Sequence, residues 1–301
     1  MRPGKNLQRT GRLLINTLRE GMEDDLLDRA AGLSFYFLFS LFPLMLLLAS
    51  LLGILHAPDM IRNAIAVLSG ALPGAAAHLV AGQLWQLLRQ PRDDLLSLGT
   101  LLLLYSGSQG ISGLMTALNI AYEVPETRSY PHRLALSLLL TISAGLFLAI
   151  GLALALLGSK LLAVMLGGHR TGLGIHGVVR ILRGLLAMIF LAAAIYLLYR
   201  FAPDVDWKKA QAAPPMRLRS TLTHGIWPAA LAAMALWSLA SLGLSVYMRW
   251  IGNDAAVYGS LGAVIALMLW FYLGALAILL GAEFHCEWLK IRGVRLHSVK
   301  E

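Results

Sequence analysis

The side chains able to do chemistry are few and scattered. Eight histidines stand at His56, His78, His132, His169, His176, His224, His285 and His297. None has the H-x-x-x-H or H-E-x-x-H spacing that sets two imidazoles on one helix face around a metal. His169 and His176 lie in "GGHRTGLGIHG", a Gly-rich stretch that reads as a flexible connector. There is no P-loop and no G-x-S-x-G elbow. Ribonuclease chemistry needs metal-binding acids or paired acid–base groups in a polar cleft, whereas the acids here stand at the borders of apolar runs. The expectation is no enzyme: no catalytic residue, no metal, no cofactor, no nuclease activity and no ATP-driven transport by this chain alone.

What remains is polar chemistry in an apolar setting. "YSGSQGISGLMTALNIAYEV" (105–124) carries no charge before Glu123 but many polar groups. At about 100° per residue, Ser106, Gly110, Gly113, Ala117 and Ala121 form a stripe of small residues. Ser108, Ser112, Thr116 and Asn119 form a hydroxyl-and-amide stripe about 140° away, with Gln109 beside it. Leu104, Ile111, Leu114 and Leu118 fill the gap. Small residues let helices approach closely, and Ser, Thr and Asn bond across helices for about 1 kcal/mol or less. Hydroxyls can also bond back to their own helix. The small stripe is therefore expected against a packed neighbour. The polar stripe is expected toward another helix or a wet cavity, and the Leu/Ile stripe toward lipid. Ser108, Gln109, Ser112, Thr116 and Asn119 become the candidate substrate-binding residues.

These stripes need a membrane around them. The chain has 301 residues, 58% hydrophobic and only 14% charged, against about 25% charged in soluble domains. Six uncharged runs, 30–55, 95–122, 134–159, 184–199, 225–248 and 255–282, suit a polytopic all-α membrane protein. The fourth run is short and borrows from 178–183, so the expected span is 178–200. Residues 57–94 are broken by Pro73-Gly74 and read as an external helical hairpin. With six spans, 17 of the 25 Lys and Arg fall on one side, and seven spans leave an almost even split. The positive-inside rule thus favours six spans with both termini cytoplasmic. The same bias accounts for the net charge of +9 without nucleic acid. Residues 1–29 read as an amphipathic cytoplasmic helix in which Leu7, Leu14, Ile15, Leu18 and Met22 share a face. Residues 200–223 form a basic, Pro-rich cytoplasmic loop, 290–301 a basic tail, and 30–289 one transmembrane domain. A lone Cys286 excludes a disulfide framework. No signal peptide is read at the N-terminus.

Charges gather at one border. Asp28 and Arg29 precede span one, Asn119 and Glu123 close span two, Arg133 opens span three and Glu283 closes span six. Such groups pair or snorkel, so an ion-pair lock, with Arg29 on Glu283, is expected slightly ahead of a gate. Pro43 interrupts the backbone ladder of span one. Span six repeats the small-face device through Gly259, Ala263, Ala266, Gly274, Ala277 and Gly281.

Three stretches, "DRAAGLSFYFLFSLFPLMLLLASLLG" (28–53), "LMTALNIAYEV" (114–124) and "YGSLGAVIALMLWFYLGALAILLGAEF" (258–284), resemble the YihY/virulence factor BrkB family of bacterial inner-membrane proteins. The resemblance covers nearly the whole chain in order. It implies about six spans, an N-terminal cytoplasmic segment and a bacterial inner-membrane location. It carries over no catalytic residue, because the family has no agreed catalytic motif and its former label of ribonuclease BN is regarded as a misassignment. The expected function is transport or translocation of a lipid-like or small amphipathic substrate for the cell envelope. The alternative is a non-transporting scaffold for envelope proteins. Membrane lipids are the expected partners, with a homo-oligomer or envelope proteins beside them and no nucleic acid.

Overall fold

Hydrocarbon offers no hydrogen bonds, so an apolar chain crosses it as helix, which satisfies its own backbone. The computed structural model describes residues 3–54, 72, 74–88, 94–165, 188–207, 219–251, 259–291, 294 and 296. The elements among them are helices: α1 (Pro3–Glu23), α2 (Leu26–Ile54), α3 (Gly74–Leu88), α4 (Asp94–Ala121), α5 (Tyr130–Met165), α6 (Met188–Phe201), α7 (Arg219–Ile251) and α8 (Gly259–Ile291). The first half of the expected hairpin, the stretch with His169 and His176, residues 208–218 and the tail 297–301 lie outside the described residues.

Leu26–Leu46, Gly99–Ala121, Ile226–Met248 and Leu261–Ile291 are each long and apolar enough to cross a membrane. The 36 residues of α5 extend about 54 Å at 1.5 Å per residue and contain the expected span 134–159. The described part of α6 is a shorter apolar helix. The last span runs past its expected end at Ala282 to Ile291, so Glu283, His285, Glu287 and Lys290 all ride on α8.

Helix α4 packs on α2, α5 and α8. Its small stripe meets α2: a Cβ on Gly110 would stand 3.5 Å from Tyr36 and Phe37, and one on Gly113 3.3 Å from Leu33. Its Leu/Ile stripe departs from expectation. Ile111, Leu114 and Leu118 are buried in the main core with residues of α2, α6, α7 and α8, and Leu104 is half-buried. The outward residues of α4 are Leu101, Leu102 and Tyr105, one to two turns nearer its start. The cause is physical: lipid tails are as apolar as leucine, so an apolar stripe fits a neighbouring helix as well as a bilayer.

The small face of α8 packs on α6 and α7. A Cβ at Gly281 would overlap the Tyr199 hydroxyl and stand 2.7 Å from Ala233 Cβ and 3.2 Å from the Ala229 carbonyl. Tyr199 also donates to the Ile278 carbonyl at 2.6 Å. Helix α3 leans on the flanks of α2 and α8 through Ala76 and Val80, beside Met45 and Leu267.

Helix α1 has two working faces. Leu13, Thr17 and Gly21 recur every four residues and are buried, with Gly21 against Leu280 of α8. Leu14, Ile15, Leu18 and Met22 point away from the protein, Ile15 being 67% exposed. The shared apolar face read from sequence is therefore present and uncovered, as an interfacial helix presents it. The Leu7 side chain lies outside the described ones.

Gly281→Ala is expected to destabilise the bundle by about 1–3 kcal/mol through overpacking. A Cβ on Gly11 would have nothing within 4 Å among the described residues, so Gly11→Ala is expected to be neutral or stabilising by up to about 1 kcal/mol. Thermal unfolding in detergent would check both, and equal effects would contradict the packing assigned to Gly281.

Candidate functional site

The end of α4 is built to stop. Val124 N–H donates to the Asn119 carbonyl at 2.9 Å and Glu123 N–H to the Ile120 carbonyl at 2.8 Å, the pairing of a Schellman stop. Glu123 occupies the left-handed position, φ 54°, where glycine is usual. Pro125 then prevents the helix from resuming.

The loop that follows is held by a closed set of polar contacts. Asn119 Oδ1 accepts from Asp204 N–H at 2.7 Å, and its Nδ2 donates to Glu126 Oε2 at 2.9 Å. Arg128 Nε donates to Glu126 Oε1 at 2.8 Å, and Arg128 also donates to the Ala202 carbonyl at 2.8 Å. Asp204 Oδ2 accepts from Thr127 N–H at 2.8 Å and from the Thr127 hydroxyl at 2.6 Å, and its Oδ1 lies 3.6 Å from Arg128 Nε. The α4–α5 loop and the segment after α6 are thereby tied together, with Asp204 only 1% exposed.

A buried aromatic group adjoins this ring. The Tyr122 hydroxyl and His285 Nδ1 are 2.9 Å apart. Trp207 stacks on His285 at 6.0 Å and meets Tyr122 edge-on at 5.9 Å. His285 Nε2 is buried without a partner. Enclosure raises the Tyr122 phenol well above its ordinary value. Beside it, Lys290 Nζ lies 2.6 Å from both Glu123 Oε1 and Glu287 Oε1, and Asn16 of α1 donates to Glu287 Oε2 at 3.2 Å.

The third feature is a seam between α4 and α5. Arg133 reaches across from the first turn of α5 and donates to the Ser112 carbonyl at 2.9 Å and the Thr116 hydroxyl at 2.5 Å. Arg133, Ser137 and Thr141 follow one another at four-residue spacing and share that face of α5. A Cβ on Gly107 would stand 2.7 Å from Thr141 Cγ2. Gln109, Ser112, Thr116 and Arg133 are half-buried. Among the described residues the Arg133 partners are neutral oxygens, and its Nε is buried with none.

The model for Virulence factor BrkB matches residues 17–290. The chain belongs to the BrkB family. A Bacillus subtilis protein named as ribonuclease-like, YfkH, is similar at 30% identity over 272 residues, 89% of this chain and 90% of that one. A UPF0761 membrane protein of Tolumonas auensis is 32% identical over 116 residues, 37% of this chain and 33% of its own. No solved structure matches. Together with the apolar helices, these relatives make the chain a membrane protein of the BrkB family. Among the described residues, no three His, Cys, Asp or Glu side chains are placed to hold a metal ion.

This BrkB-family bundle distributes the expected site residues unevenly. Ser108 bonds back to the Tyr105 carbonyl, and Thr116 to the Ser112 carbonyl. Ser112 and Thr116 belong to the seam, Gln109 is half-buried on the same helix, and Asn119 has turned away into the loop ring. The expected Arg29–Glu283 pair does not form. Arg29 Nε donates to the Asp24 carbonyl at 3.0 Å, and Glu283 lies buried without it. Asp28 is exposed in the first turn of α2, where its charge suits the helix dipole. Glu123 pairs with Lys290 and Arg133 with the seam. Sequence reasoning missed Glu126, Thr127, Asp204, Trp207 and the role of His285. The usable signal was two short Pro-containing loops rich in acidic residues, "EVPETR" and "APDVDW", on the same predicted side, with Arg128 as the cation between them.

Asp204→Ala is expected to cost about 1–3 kcal/mol, because it strands Thr127 N–H in the protein. Asp204→Asn should cost less, since one acceptor oxygen survives. Melting of the purified protein would check the order. Asp24 supplies a pH test. Burial, then the nearby Glu123 and Glu20 carboxylates, hold its carboxyl above the usual range. The folded protein therefore binds this proton more tightly than the unfolded chain. That stabilisation is complete below the ordinary value of 3.8 and is lost as pH rises through the folded value. Asp24→Asn should flatten this part of the stability–pH curve, and an unchanged slope would contradict the assignment.

Proposed function

We propose that this protein moves a lipid-like or small amphipathic molecule with an anionic head across the bacterial inner membrane, for the cell envelope. The observation that carries the reading is the α4–α5 seam. The Thr116 hydroxyl and the Ser112 carbonyl line it, it is half-buried rather than sealed, and it ends at an arginine whose partners among the described residues are neutral. A guanidinium in that state offers free charge and donors to a phosphate or carboxylate. An apolar tail would lie along the lipid-facing flank of α4, where Leu101, Leu102 and Tyr105 are exposed. In this reading both termini are cytoplasmic, α1 rests on the anionic inner leaflet, and no covalent step is catalysed. Back-bonded Ser108 and ring-bound Asn119 leave Gln109, Ser112, Thr116 and Arg133 as the residues that would meet the substrate.

Cys286 is buried, so the native thiol gives a quiet background for labelling. Gln109→Cys and Ser112→Cys are expected to react with a charged, water-soluble thiol reagent, and lipid-facing Tyr105→Cys is not. In proteoliposomes, Arg133→Ala should slow transfer of a fluorescent anionic phospholipid by about tenfold or more, the loss of a charged hydrogen bond. If neither cysteine reacts and the wild type moves no lipid, the transport reading falls. The scaffold for envelope proteins would then be the reading left.

A further inference from the structure

We propose that Glu283 is a proton-binding site at the junction of α8, α1 and the α1–α2 turn, and that its bound proton keeps α1 docked on the bundle. Glu283 is 1% exposed, and its Oε2 has no hydrogen-bond partner among the described residues. It stands on α8 between Leu280, which packs on Gly21 of α1, and Glu287, which accepts from Asn16 of α1, and so on the side of α8 that meets α1. Asp24 from the turn, Glu20 from α1, Glu287, Lys290 and Cys286 from α8 itself, and Tyr122 from the end of α4 interact with it electrostatically.

Lys290 is the cation in this set, and it is already committed. Its ammonium lies 2.6 Å from Glu123 and 2.6 Å from Glu287, and no ion pair joins it to Glu283 among the described residues. Arg29, which neighbours Asp24, is turned to a backbone carbonyl. A buried carboxylate needs a cation, donors or a proton. Among the described residues Lys290 is paired with Glu123 and Glu287, no donor reaches Oε2, and no three metal-ligating groups converge. A proton on the carboxyl meets the need with no further ligand. It also removes one negative charge from a site ringed by Asp24, Glu20 and Glu287.

The consequence falls on α1, because two of those acids sit across the α1–α8 contact. That contact is slight. Asn16 donates to Glu287 Oε2 at 3.2 Å, Gly21 packs on Leu280, and Asp25 in the turn holds a left-handed backbone at φ 54°. A charged Glu283 facing Glu20 and Asp24 would repel both. Loss of the proton therefore loosens α1, and its return re-seats the helix. This holds whatever the α4–α5 seam carries.

The test is infrared spectroscopy of the intact protein in lipid nanodiscs across a pH series, paired with deuterium uptake by residues 3–23. The expected result is a protonated-carboxyl C=O band that fades as pH rises, while α1 uptake increases. Glu283→Gln should remove that band and keep α1 protected at every pH, whereas Asp24→Asn should retain the band. A band unaffected by Glu283→Gln, or α1 protection independent of pH in the wild type, would overturn the proposal. If Glu283→Gln does not fold, Glu283→Asp must shift the band, and an unshifted band overturns it equally. Loss of the band on adding sodium or calcium at fixed pH would identify a metal site and also overturn it.

Discussion

The Asn119 amide accepts from one loop and donates to another, and the charged end of the bundle is organised around it. A side-chain amide is the neutral group that can satisfy a backbone N–H and a carboxylate at once. It does so here inside the protein, where water is scarce and an unmade hydrogen bond costs about 1–3 kcal/mol. Because Asn119 is fixed, Glu126 and Asp204 are fixed, and with them Arg128 and the path of both loops. The exit of α4, the entry of α5 and the segment after α6 are then set relative to one another. Tyr122 and Trp207 can meet around His285 of α8 because the exit of α4 and the segment after α6 converge there.

How much of this was legible follows from the kind of information each feature needs. Helical phase alone separated the small stripe of α4 from its polar stripe, and both found helices, α2 and α5. Phase could not say which apolar stripe faced lipid, since Ile111, Leu114 and Leu118 look the same to a bilayer and to a helix. The partner stripe Arg133, Ser137 and Thr141 was present at four-residue spacing, yet it gains meaning only when α5 is laid antiparallel to α4. The loop ring was hidden for a different reason: Asn119 and Asp204 are 85 residues apart, and no local pattern announces that two loops will meet. Glu283 was read as the end of a span because the apolar run stops at Ala282, while the helix itself continues to Ile291.

Two polar systems in this bundle are satisfied in opposite ways. In the loop ring nearly every donor finds an acceptor, which suits a fixed joint. In the seam Thr116, Ser137 and Thr141 bond back to their own helices, so the hydrogen bonds across it are those of Arg133 to Ser112 and Thr116. The distinction separates Asn119 from Ser112 and Thr116, although all three lie on one stripe of one helix.

Gly281 has a mechanical consequence. With the Tyr199 hydroxyl, Ala233 and Ala229 pressed against its backbone, α8 cannot slide or roll against α6 and α7 without collision. Those three helices form a single stiff piece, like the fixed frame of a door. Helix α1 is joined to that frame more lightly, by the Asn16–Glu287 bond and by Gly21 on Leu280, so it has room to move where the frame has none.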